Sequence, residues 1–130
     1  MKLFYKGKDG GSESSTTGYW LIECKSLFSI VLLKFEGISR DAFHTHVFHS
    51  LSWVVKGELQ EKFKSNYKQI RLHSASWIPF ITRKEDFHKV NVIGTAWALS
   101  FRGPWQKQWL ENTPQDGTYG LVSGRLKVPV

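Results

Sequence analysis

Nowhere in this chain do apolar residues recur with the helical period over about 12 residues or more. Instead, short runs of β-branched and aromatic residues are broken by turn residues at intervals of roughly 8–12 positions. That pattern restricts the chain to sandwich, barrel or jelly-roll architectures. The run 27–35 is apolar on both parities, with Phe28, Ile30 and Leu32 on one face and Leu27, Val31, Leu33 and Phe35 on the other, as expected of a strand covered on both sides. The run 42–56 is too long for one strand and predicts two with a bend, ended by Gly57. Residues 58–64 and 67–73 predict a polar hairpin around Ser65-Asn66. Pro79 places the run 76–81 at a sheet edge or end. Further short strands are expected over 19–24, 87–93, 95–102, 105–110 and 119–128.

The length of 130 residues fits one domain. Residues 1–18 are largely small and polar from Lys8 onward and predict a flexible lead-in, with the folded domain spanning 19–130. The single cysteine, Cys24, rules out an internal disulfide and a cysteine-based zinc finger. It reads as a buried small side chain in a protein of a reducing compartment. Met1 to Gly11 has no apolar core of a secretory leader, and the longest apolar stretch, Ile30 to Leu33, is too short to span a bilayer. A soluble cytoplasmic protein with no membrane partner is therefore expected. Net charge is +7, but the basic residues are scattered and no run exceeds Arg83-Lys84, which makes nucleic acid a minor reading.

Of the five histidines, His44 and His46 carry the chemistry. Residues i and i+2 of a strand share a face, so the two imidazoles can bind one ion, with a third ligand from elsewhere in the fold. Three protein ligands leave positions open for water or substrate. Glycines flank the pair: Gly37, six residues, His44-Thr45-His46, three residues, Ser50, six residues, Gly57. Pro79, His88 and Asn91 follow.

This frame resembles the first motif of the cupin family, with one extra residue after the first glycine; the second motif is kept loosely, through Pro79 and His88. The resemblance implies an all-β cupin-type double-stranded β-helix (jelly roll). It also implies one divalent metal ion held by His44, His46 and His88, because Ser50 stands where a usual cupin places a glutamate ligand. Three-histidine cupins of the thiol-dioxygenase kind are the nearest analogy and favour Fe(II), while Zn, Ni or Mn would suit other chemistry. The stretches 43–46, 51–57, 87–89 and 95–105 are similar to small cupin-like proteins of bacteriophages, which would place the protein in the cytoplasm of a host cell. The family also suggests a homodimer, through an edge strand or a swapped N-terminal strand; the apolar strand at 27–33 could serve as an interface element or lie inside one sheet.

Candidate ligand contacts beside the metal are Ser50, Trp53 and Arg102. The strand 95–102 has two open readings. Either Ala96, Ala98, Ser100 and Arg102 line a cavity, with Arg102 meeting an anionic ligand, or Trp97, Leu99 and Phe101 pack inward and Arg102 faces solvent. His49 has the wrong parity for the site, His73 reads as a surface residue, and Glu58 and Glu61 could supply a carboxylate near the metal but read first as part of a solvated hairpin. Three functions compete: a metal-dependent, oxygenase-like enzyme on a small anionic molecule; a non-catalytic module binding a small molecule or a host protein; and nucleic-acid binding. No serine-hydrolase elbow, P-loop or Rossmann glycine pattern is present.

Overall fold

A computed structural model describes residues 1–9, 14–36, 43–64, 66–84, 86–92, 94–113, 116–122 and 126–128. Among the described residues there is no helix, and the strands form two antiparallel sheets. The elements are β1 (Lys2–Lys8), β2 (Thr16–Cys24), β3 (Phe28–Glu36), β4 (Phe43–His44), β5 (Ser50–Lys56), β6 (Glu58–Phe63), β7 (Asn66–Ser74), β8 (Phe80–Thr82), β9 (His88–Val92), β10 (Thr95–Arg102), β11 (Trp109–Thr113), β12 (Gly117–Val122) and β13 (Leu126–Val128). One sheet has the order β1-β2-β3-β10-β5-β8, the other β13-β12-β11-β4-β9-β6-β7.

The expected bend in the run 42–56 divides it between the two sheets, β4 in one and β5 in the other. Gly57 then carries the chain back from β5 to β6 across the gap between sheets. It does so at a φ of 82°, and a Cβ there would lie 2.5 Å from the Thr95 carbonyl oxygen. The polar hairpin forms as β6 and β7, and Pro79 immediately precedes the edge strand β8. The N-terminal stretch expected as a lead-in contains β1, which pairs with β2 from Lys2 to Lys8. The boundary drawn at residue 18 falls inside β2, because Thr16, Thr17 and Gly18 continue the ladder with β3. Gly37 and residues 10–13 lie outside the described residues.

The sheets face each other over a core in two parts. Val54, Ala96 and Ala98 of one sheet meet Leu59 of the other, flanked by Phe35, Phe80, Val90 and Val92. Trp20, Val31 and Leu33 form the second part, with Tyr5 stacked on Trp20 at 4.8 Å. Alternation along each strand puts these residues inward. A cavity lined by residues of both clusters and by His44 of β4 and His88 of β9 lies between the sheets.

Candidate metal centre

The register of the seven-stranded sheet assembles the site. His44, on β4, lies directly opposite His88, the first residue of β9. His46 follows past the end of β4, where the chain stays extended. The Thr45 N–H donates to the Leu110 carbonyl at 2.9 Å, and the Leu110 N–H donates to Thr45 Oγ1 at 2.8 Å. The three rings form a near-equilateral triangle: centroids are 4.9 Å apart for His44 and His46, 5.0 Å for His44 and His88, and 5.0 Å for His46 and His88. One nitrogen from each ring lies within 4.8 Å of the other two. His46 Nε2 and His88 Nε2 are 2.9 Å apart, about the spacing of two imidazole nitrogens bound at adjacent positions on one ion ~2.1 Å away.

Glu61 suits this arrangement to hold an ion. It was expected on a solvated hairpin, but it is 3% exposed and points into the fold from β6. Its carboxylate accepts from His88 Nδ1 at 2.6 Å and bonds His73 Nε2 at 2.9 Å. Burial alone would push the Glu61 carboxyl up, but the bonds from His73 and His88 outweigh it and hold its pKa at about 2. A carboxylate ionised at neutral pH can only accept, so His88 carries its proton on Nδ1 and its Nε2 lone pair faces the other two rings. This is the carboxylate–histidine arrangement that orients metal-ligating imidazoles. His46 is kept neutral, the form a ligand requires: burial first, then charge on His44, His88 and Arg102, hold its pKa well below the usual histidine range.

His73 is likewise not a surface residue. Its ring stacks on Phe80 at 4.0 Å and its side chain is 12% exposed. Glu61 has the same parity as Leu59, which is 2% exposed, so a carboxylate on the apolar parity of an otherwise polar hairpin was the available signal. His49 points away, as its parity implied: it is exposed, and its Nδ1 accepts from the Lys84 N–H at 3.1 Å. Cys24, expected to be buried, is half-buried with its sulfur 3.5 Å from the Ser26 hydroxyl, which lowers the thiol pKa.

The three histidines open into a cavity of about 530 Å³ between the sheets. β10 settles its two readings in favour of a cavity wall: Ala96, Ala98, Ser100 and Arg102 are 0%, 1%, 2% and 4% exposed and face inward. Ser100 accepts from Ser52 across the wall at 3.1 Å. Arg102 reaches the cavity with its guanidinium 4.6 Å from the centre of the Phe48 ring, and Asp9, just past β1, binds both of its terminal nitrogens at 3.1 and 2.7 Å. Ser50 also lines the cavity. Trp53 does not. It lies on the other face of β5, donates its Nε1–H to the Trp77 carbonyl at 3.1 Å and meets Phe101 edge-to-face. The structure thus brings together His44, His46, His88, Ser50 and Arg102 and leaves Trp53 outside.

No family model and no curated protein matches the sequence. Solved structures do match the fold. A sugar phosphate isomerase of the cupin superfamily from Silicibacter pomeroyi superposes with a TM-score of 0.64 at 11% identity, over 99% of this chain and 92% of that one. An RmlC-like cupin from Shewanella frigidimarina gives 0.59 at 16% identity, over 79% and 86%. An iron(II) form of HppE gives 0.60 at 14% identity, over 76% of this chain and 56% of that one. At these identities the likeness establishes architecture: the chain is an all-β, cupin-type jelly roll.

Proposed function

We propose that this is a metal-binding protein of the cupin type that works as a metal-dependent enzyme on a small anionic molecule, with Fe(II) the favoured ion. The observation that carries the reading is the convergence of three imidazoles, one locked by Glu61 into the tautomer that ligation needs. Three ligands leave positions for water and substrate, and a bound ion would supply Lewis acidity or a redox centre. The chain's own residues do the rest. Arg102 would take the substrate's carboxylate or phosphate in the place Asp9 now holds, and Ser50, Ser52 and Ser100 offer hydroxyls on the wall. The iron(II) form of HppE among the structural neighbours supports the choice of ion, and the sugar phosphate isomerase supports an anionic substrate. The likeness of 43–46, 51–57, 87–89 and 95–105 to bacteriophage cupin-like proteins supports a role in the cytoplasm of an infected host.

The test is elemental analysis of protein purified without a histidine tag. We expect about one metal ion per chain, lost in His46→Ala and His88→Ala while the far-UV circular dichroism stays that of a β protein. Equal metal content in the variants would overturn the reading. Metal-loaded protein that retains anionic metabolites unchanged would move the conclusion to a non-catalytic binding module.

A further inference from the structure

The wall around Arg102 holds more hydrogen-bond donors than the protein itself satisfies. Asp9 takes the two terminal nitrogens of Arg102, at 3.1 and 2.7 Å, and leaves the buried Nε–H with no partner. Ser29 lies directly opposite Arg102 in the β3–β10 ladder, and its buried Oγ has no partner either. Residues directly opposite project to the same side, so this hydroxyl is on the guanidinium's face of the sheet. Trp105 Nε1 and Trp20 Nε1 are also buried and unpaired, and both residues line the cavity. The Phe48 ring connects Trp105 to Arg102, 5.5 Å from the indole and 4.6 Å from the guanidinium. Among the described residues no other buried side-chain nitrogen or oxygen lacks a partner. Folded proteins pair nearly all such atoms, so a group of them around one cavity points to a ligand rich in acceptor oxygens.

Asp9 is placed to yield. It stands just past the edge strand β1, and its side chain is 27% exposed against 4% for Arg102. A carboxylate ligand would exchange like for like: two oxygens for two and one charge for one, against a competitor already tethered in place. A phosphoryl group carries close to two negative charges and three acceptor oxygens at neutral pH. It can keep both terminal nitrogens and still offer an oxygen to Nε–H or a neighbouring donor. The charges agree with such an occupant. Lys8 and Lys25 line the cavity, Lys25 with its Nζ 4.5 Å from the Trp105 ring. Glu23, which also lines it, accepts a hydrogen bond from the Tyr5 hydroxyl.

We propose that this wall is a subsite for a phosphoryl group, taken in preference to a monocarboxylate, and that Asp9 is its resident competitor, displaced when the ligand binds. The inference rests on the reading of Arg102 as the anion-binding residue and narrows it, but it requires no metal. Asp9 then sets a threshold: a ligand must offer the guanidinium more than one carboxylate does before the cavity admits it.

Titration of the metal-free full chain at pH 7, followed by NMR of the arginine Nε–H groups, tests it. Methyl phosphate should bind at least about 10-fold more tightly than acetate and shift the Arg102 Nε–H resonance, assigned with Arg102→Lys. Asp9→Asn should tighten both probes about 10-fold, because the amide has one accepting oxygen and no charge with which to compete. Arg102→Gln, with unchanged far-UV circular dichroism, should weaken methyl phosphate about 10-fold or more. Inorganic phosphate separates two sources of the same chemistry. Its tighter binding would make free phosphate the occupant, and tighter methyl phosphate a phosphorylated molecule; either upholds the subsite. Equal affinity for acetate, an Nε–H resonance unmoved at saturating methyl phosphate, or wild-type affinities in Asp9→Asn overturns the proposal. Because the titration contains no metal, methyl phosphate binding in a chain that takes up no ion rejects the enzyme reading alone. An ion bound without methyl phosphate binding rejects the subsite alone.

Discussion

Glu61 bonds two imidazoles with one carboxylate, and that double contact makes it the most informative single residue to change. In Glu61→Gln the amide has one accepting oxygen and one donating NH₂. If the oxygen serves His73, the NH₂ faces His88 Nδ1, and the ring must carry its proton on Nε2, where ligation needs a lone pair. If the oxygen serves His88, the bond loses its charge and the imidazole becomes a weaker base. Either way metal affinity should fall about 10–100-fold, read by competition with a chelating dye, while the fold persists. Wild-type affinity in this variant would mean that Glu61 does not orient the ligand. At this scale the His44/His46 pair was legible, because a two-residue spacing is local information. The roles of Glu61 and His73 were not. They depend on the β6–β9 register, which sets Phe63 opposite His88, and on the β6–β7 register, which sets Glu61 opposite Arg71 and Leu59 opposite His73.

Among the elements, the crossing at Gly57 has the narrowest tolerance. A side chain at a φ of 82° is strained by roughly 1–2 kcal/mol, and a Cβ 2.5 Å from the Thr95 carbonyl oxygen forces the start of β10 to move. Gly57→Ala should therefore cost roughly 2–4 kcal/mol of unfolding free energy in denaturant titration, with the loss in the folded state. A loss below about 0.5 kcal/mol, the level of an ordinary surface substitution, would show that the turn relaxes freely. β10 illustrates the other limit on reading. Its parity split was plain in the sequence, but which half faced inward was not. Trp97, Leu99 and Phe101 are the more hydrophobic set, and burial preference alone would turn them in. The space between the sheets is instead shared with a cavity, so the small residues face it and the large ones lie on the outer side. β1 was missed because its pairing with β2 depends on a distant ladder rather than on its own composition.

For the molecule as a whole, the buried ionisable groups of the histidine cluster make stability depend on pH in one direction. Above 6.5 His46 is neutral in both folded and unfolded chains and contributes nothing; below 6.5 the unfolded chain takes up a proton that the buried ring refuses, so unfolding gains. Glu61 is ionised in both states above 4.5, where its contribution is complete. As pH falls from 4.5 toward about 2 the unfolded carboxyl protonates first, and roughly 3 kcal/mol is lost across that window. Both contributions have the same sign, so metal-free protein should show a denaturant midpoint that declines from pH 6.5 downward and is flat from 7 to 8. A bound ion adds stability in proportion to the logarithm of its concentration over its dissociation constant, and that increment should itself shrink below pH 6.5 as protons compete for the imidazoles. Midpoints measured with and without metal should therefore converge on acidification. A midpoint that rises between pH 7 and 5 would contradict a neutral, buried His46. A metal increment that stays constant over that range would place the ion away from the histidines.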